Sequence, residues 1–127
     1  MRILGIDYGT RRIGLAVSDE SRTLARELEI LHPKKFWENI NRIIKDLEVE
    51  KIALGLPLGV AGKDTRKTLE VRAFGAQLAK KTGLPVDLID ERFSSAMAKH
   101  LPGGNHSVDS LAAQIILQNY LDKTGAK

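Results

Sequence analysis

Apolar and polar positions change their spacing several times along the chain, and each change marks an element. Arg2 to Asp7 is a short apolar run broken by Gly5, and Arg12 to Ser18 alternates Ile13, Leu15 and Val17 with Gly14, Ala16 and Ser18. Both read as strands. The polar turn Tyr8-Gly9-Thr10-Arg11 between them predicts an antiparallel hairpin. A third strand is expected from about Thr23 to Leu31. Behind Pro33, a favourable first-turn residue, Phe36, Ile40, Ile43, Ile44 and Leu47 recur at helical spacing as one apolar stripe. Lys51 to Leu56, nearly all apolar and ended by Pro57, has the pattern of a strand covered on both faces. Leu58 to Lys63 reads as a glycine-bearing loop. A second helix is predicted from Asp64, as N-cap, to about Thr82, stopped by Gly83-Leu84-Pro85. Val86 to Asp90 is the fifth strand. A short helix from about Ser94 to Leu101, a loop from Pro102 to His106, and a last helix from Val108 to Leu121 capped by Ser107 complete the pattern. The order β-β-β-α-β-α-β-α-α predicts an α/β fold, a mixed five-stranded sheet with helices on its faces.

Composition narrows the class. A chain of 127 residues with 43% hydrophobic and 28% charged residues is the size and make-up of one compact domain. The uncharged stretches, Ile52 to Gly62 among them, all fall short of the roughly 20 apolar residues of a membrane span. Asp7 interrupts the first apolar run before a secretory signal could be complete, so a cytoplasmic protein that uses no membrane is expected. With no cysteine in the sequence, disulfides, thiolate zinc sites and cysteine nucleophiles are excluded, and any metal must be held by oxygen or imidazole ligands.

The formal net charge is +4, and its location says more than its size. Residues 1–50 carry nine basic and nine acidic side chains, whereas residues 63–81 carry six basic (Lys63, Arg66, Lys67, Arg72, Lys80, Lys81) and two acidic (Asp64, Glu70). A concentrated basic patch attracts polyanions, although a solvated helix face has the same composition.

Carboxylates stand at conspicuous places. Asp7 ends the first strand, where an apolar run gains nothing from a charge, and Gly9 close behind it could let a phosphate approach the backbone. Asp90 and Glu91 end the fifth strand; successive strand residues point to opposite faces, so at most one of them shares a site with Asp7, and spacing does not choose between them. Asp109 opens the last helix on a stripe with Ala112, Ala113, Ile116 and Tyr120, and the two alanines would let that helix come close to the sheet. Three carboxylates from separate elements could converge on Mg2+, with Mn2+ as the alternative ion, and two such ions could activate a water and stabilise a leaving oxygen in phosphodiester hydrolysis. His32, His100 and His106 have no metal-site spacing, and Ser94 and Ser95 read as caps rather than nucleophiles.

The stretch from Gly5 to Asp19, Gly55-Leu56-Pro57-Leu58, Asp90-Glu91-Arg92-Phe93-Ser94, and Val108 to Ala113 with Ile116 to Leu121 together resemble, in order, the four motifs of the YqgF family. This family, also called RuvX, comprises bacterial ribonuclease H-like proteins, and the resemblance covers nearly the whole chain. It implies a ribonuclease H-like fold and a metal-dependent nuclease. Asp7, Glu91 and Asp109 match the family's catalytic, metal-holding acids, which favours Glu91 over Asp90 by analogy. Members are associated with maturation of the 5′ end of pre-16S ribosomal RNA, and relatives of the fold resolve Holliday junctions. The segment Leu101 to His106 is shorter and less basic than in many members. That shifts the expected nucleic-acid contacts to Gly9, Thr10, Arg11, Arg12, Lys63, Arg66, Lys67 and Arg92.

The expected function is therefore a Mg2+-dependent endonuclease on structured RNA, monomeric or homodimeric. A resolvase of branched DNA with the same acids is one alternative, and a non-catalytic RNA-binding assembly factor is another. A phosphotransferase of the sugar kinase and actin class, suggested by Asp7-Tyr8-Gly9-Thr10 with Arg12, would need two such domains where this chain has room for one.

Overall fold

The computed structural model describes residues 1–90 and 108–124, without the side chains of 108–110 and 124. Five strands, β1 (Arg2–Asp7), β2 (Ile13–Ser18), β3 (Ala25–Leu31), β4 (Val49–Leu56) and β5 (Val86–Asp90), form one mixed sheet in the order β3-β2-β1-β4-β5. β1 and β2 form the expected antiparallel hairpin and β3 extends it, while β4 and β5 run parallel to β1. Helices α1 (Pro33–Leu47), α2 (Arg66–Thr82) and α3 (Val108–Thr124) flank the sheet. The short helix expected at Ser94 to Leu101, the loop Pro102 to His106 and the Ser107 cap lie outside the described residues. No helix among the described residues is long and apolar enough to cross a membrane.

Alternation sorts the strand residues onto two different faces. Leu4, Ile6, Ile13, Leu15, Val17, Ile52 and Leu54 are buried against Phe36, Ile40 and Ile43 of α1 and Val71, Phe74 and Leu78 of α2. Each such large side chain contributes roughly 1.5–3 kcal/mol when removed from water. On the opposite face the sheet offers Ile3, Ala16, Ala25 and Ala53, covered by Ala113, Leu117, Tyr120 and Leu121 of α3. A Cβ on Gly5 would sit 2.6 Å from the Leu117 Cβ and 3.1 Å from the Ala113 carbonyl oxygen, so α3 lies directly on the backbone of β1.

Local chemistry explains the boundaries, with one correction. Thr65, not Asp64, is the N-cap of α2: its hydroxyl accepts from the Thr68 backbone N–H, and Thr68 Oγ1 accepts from the Thr65 N–H, a reciprocal capping box. The Thr68 hydroxyl also bonds the Pro57 carbonyl, which ties the helix start to the end of β4. Asp64 instead makes two 3.1 Å contacts to Arg72, farther along the helix. The expected loop after Pro57 contains a tight turn at Val60–Gly62, closed by the Gly59 N–H on the Lys63 carbonyl at 2.7 Å. Before β3, Asp19 accepts from the backbone N–H of Thr23 and Leu24 and from the Ser21 hydroxyl, which delays the strand to Ala25. The Thr23 bond is the main cause that holds the Asp19 carboxyl below its ordinary value.

Candidate functional site

The alternation that sorts the sheet also decides where the candidate acids lie. Ile3, Gly5 and Asp7 share the α3 face of β1, whereas Leu4 and Ile6 face α1 and α2. Asp7 is half-buried at the carboxyl end of β1, opposite Gly14 of β2. Helix α3 runs back along β1. Its later turns are tied to the start of β3 by Gln118, which accepts from the Ala25 N–H at 2.9 Å and donates to the Thr23 carbonyl at 3.0 Å. Ala25 pairs with Ser18, whose hydroxyl accepts from the Ile3 N–H at the start of β1. Ala113 and Leu117 pass over Gly5, so the backbone of the first turn, which includes Asp109, lies toward the carboxyl end of that strand. Glu91 and Arg92 lie outside the described residues, as does the side chain of Asp109. Asp90 pairs with Leu56 in a parallel register and so shares the face of Leu54 and Leu56, opposite Asp7.

A second group of predicted residues is brought together by the turn after β1. Gly9, Thr10, Arg11, Arg12 and Lys67 line one open depression of about 310 Å³. Two elements build it: the hairpin turn supplies four of these residues, and the first turn of α2, fixed by the Thr65 cap, supplies Lys67. A Cβ on Gly9 would lie 2.6 Å from the Arg12 carbonyl oxygen, so glycine is demanded by the turn itself, before any phosphate is considered. Lys63 and Arg66 are exposed and do not line the depression.

Tyr8 is not among the residues that the sequence pattern singles out for function, although it stands between Asp7 and Gly9. Its ring packs on Phe74 with centroids 4.3 Å apart, and the Lys67 Nζ lies 5.3 Å from its centroid. Sequence carries one signal, an aromatic residue in an otherwise polar turn; that α2 brings a lysine to it depends on tertiary packing.

Among the described residues no three histidine, aspartate or glutamate side chains come together as metal ligands. The donor chemistry that the sequence offers at this end of the sheet is carboxylate oxygen, beginning with Asp7, and it suits a hard divalent cation rather than zinc held by sulfur. His32 caps α1 through a 3.5 Å contact with the Lys34 N–H, a structural position remote in chain and element from Asp7.

The structure of Thermus thermophilus RuvC in complex with a Holliday junction substrate superimposes with a TM-score of 0.67 at 19% identity, covering 99% of this chain and 97% of that one, which establishes the shared fold. A chain of Koribacter versatilis with the name "Putative pre-16S rRNA nuclease" is 38% identical over 98% of this chain and 88% of its own length. Chains of the same name from a Sulfurihydrogenibium species and from Bordetella avium are 39% and 38% identical, over 96% and 95% of this chain and 90% and 95% of their own lengths. The model of the RuvX family, described as Holliday junction resolvase, matches residues 1–123. With its ribonuclease H-like sheet and a match over almost its full length, the chain belongs to the RuvX family.

Proposed function

We propose that this protein is a metal-dependent endonuclease that hydrolyses phosphodiester bonds of RNA, acting in the cytoplasm on the 5′ end of pre-16S ribosomal RNA. The observation that carries the reading is Asp7, held at a strand end on the face that α3 closes, one turn of chain away from a depression lined by Arg11, Arg12 and Lys67. The names of the relatives support the substrate. In this reading Asp7, Glu91 and Asp109 hold Mg2+, which when bound activates water for attack and stabilises the leaving oxygen. The chain's own residues do the rest. Asp7 fixes one ligand position on a rigid strand, while Arg11, Arg12, Lys67 and Arg92 draw in the phosphates on either side of the bond to be cut. Lys63 and Arg66, further out, add attraction at longer range.

The family's description favours a second reading, a resolvase of four-way DNA junctions. Such an enzyme must cut two symmetry-related strands and works best as a homodimer, whereas an RNA enzyme need not be one. The deciding experiment offers the purified protein, with Mg2+, a pre-16S 5′ leader and a four-way DNA junction, and measures cleavage rates beside the mass in solution. Faster cleavage of the leader, by a monomer or a homodimer, is expected. Faster cleavage of the junction by a dimer transfers the reading to the resolvase, and binding of RNA with no cleavage in any divalent ion transfers it to an assembly factor.

A further inference from the structure

Of the basic residues near the hairpin turn, Lys67 is set apart by its surroundings. Lys63, Arg66, Arg11 and Arg12 are exposed, whereas Lys67 is half-buried and lines the depression from the α2 side. No described carboxylate forms a salt bridge with its ammonium; what faces it is the ring of Tyr8 at 5.3 Å. That ring is itself immobilised. It packs on Phe74, which is buried and in turn meets Phe36 and Trp37 at centroid distances of 5.5 Å, so the platform under Lys67 is continuous with the core.

A lysine is a flexible four-carbon stem that loses much rotamer freedom when its charge is used. A cation over an aromatic face keeps its charge and most of its donors, unlike a cation paired with a carboxylate, because the ring attracts without neutralising. We propose that Tyr8 is a positioning residue, whose core-anchored ring holds the Lys67 ammonium in place to receive a nucleic-acid phosphate in the depression that Gly9 to Arg12 line with it. The inference rests on the reading that this depression binds nucleic acid.

The molecule contains its own control. Lys81 stands 4.7 Å over the ring of Trp37, the same kind of contact at the far end of α2. The experiment measures the affinity of the full chain for a pre-16S 5′ leader RNA across a salt series, with thermal melts alongside. Tyr8→Leu, which keeps apolar packing on Phe74 and removes the π face, is expected to weaken binding about three- to fivefold, the scale of an exposed cation–π contact. Tyr8→Phe, which keeps the face, is expected to bind like the parent, and Lys81→Ala likewise. In a Lys67→Ala background the Tyr8→Leu change is expected to have no further effect. Two outcomes overturn the proposal alone: Tyr8→Leu binding like the parent while Lys67→Ala is weakened, or the two changes being additive, which would make Tyr8 merely structural. If Lys67→Ala, Arg11→Ala and Arg12→Ala all bind like the parent, the nucleic-acid reading of the depression falls, and this inference with it. Should Tyr8→Leu melt before binding can be measured, the comparison of Tyr8→Phe with Tyr8→Trp, which enlarges the π face, decides: equal or stronger binding by the tryptophan variant is expected, and binding about fivefold weaker at an unchanged melt overturns the proposal.

Discussion

The two faces of the sheet are built from opposite materials. Toward α1 and α2 the strands present large side chains such as Leu4, Ile6, Leu15, Ile52 and Leu54, all of them fully buried. Toward α3 they present Gly5, Ala16 and Ala53, over which the helix lies almost in backbone contact. Large side chains store most of the hydrophobic stabilisation and hold a helix at a distance; small ones store less and let backbone meet backbone. The difference teaches that energy and geometry have been separated. One face supplies stability, and the other fixes where α3 stands relative to Asp7.

Asp7→Asn should break the comparison most sharply, because it changes charge on the close face without changing size. Cleavage is expected to fall about a thousandfold, roughly 4 kcal/mol of transition-state stabilisation, with the fold retained. Parent-like cleavage by this variant, free of host nuclease, would remove Asp7 from the chemistry.

A matched pair of core substitutions comes next. Leu54→Ala removes a fully buried side chain from the large face and should cost about 2–5 kcal/mol in denaturant unfolding, with little change in rate per folded molecule. Gly5→Ala adds one methyl to the close face, where it would meet the Leu117 Cβ at 2.6 Å. Overpacking of this kind costs about 1–3 kcal/mol. By displacing α3 it should also lower cleavage by the remaining folded protein. Equal loss of activity per folded molecule in the two variants would erase the distinction between the faces.

The α1/α2 face is the more legible in sequence, because strict alternation at Ile13, Leu15 and Val17 and the helical stripe from Phe36 to Leu47 each report burial directly. The close face is hinted at by Gly14, Ala16 and the alanines of α3, since small residues at alternate positions imply near approach. What sequence does not supply is pairing across distance. Thr65 displaces Asp64 as the cap because Thr68 answers it and bonds Pro57. Asp90 is separated from Asp7 by a register with Leu56 that no local pattern reveals. The depression is readable only as a set of cations, not as a place.

Smaller effects belong to charge. Changing Lys63, Arg66 and Lys67 together to alanine should weaken RNA binding and flatten the salt dependence of log affinity by about 0.7 for each single-strand phosphate no longer neutralised, with little change in thermal stability. An unchanged salt slope would leave Arg11, Arg12 and Arg92 as the nucleic-acid path.

The smallest effect is expected at alkaline pH, again on the α3 face. Burial is the main cause that raises the Tyr120 phenol above its ordinary 10.0, and its 2.6 Å hydrogen bond to Asp87 adds to this. The hydrogen bond with Tyr120 likewise raises the Lys51 ammonium above 10.5. Groups whose values are raised on folding contribute stability that is present below the unfolded value and lost as pH climbs through the folded one. Stability should therefore decline above about pH 10, and Tyr120→Phe should blunt that decline. An identical alkaline profile in the variant would assign the loss elsewhere.

The bonds that Gln118 and Gln114 make to Ala25 join residues 93 and 89 positions apart in sequence. Contacts of such separation form late in folding, since the intervening chain must first be closed into a loop. The β4-α2-β5 unit and the β1–β2 hairpin, by contrast, close over short distances. The separation predicts a time order: the large-residue face is expected to condense while the Gly5 side of β1 still meets water, and α3 to dock afterwards onto a surface already formed. Amide hydrogens of α3 and of the first residues of β3 should then exchange together, before those of β4, as expected of a helix that docks late and opens early.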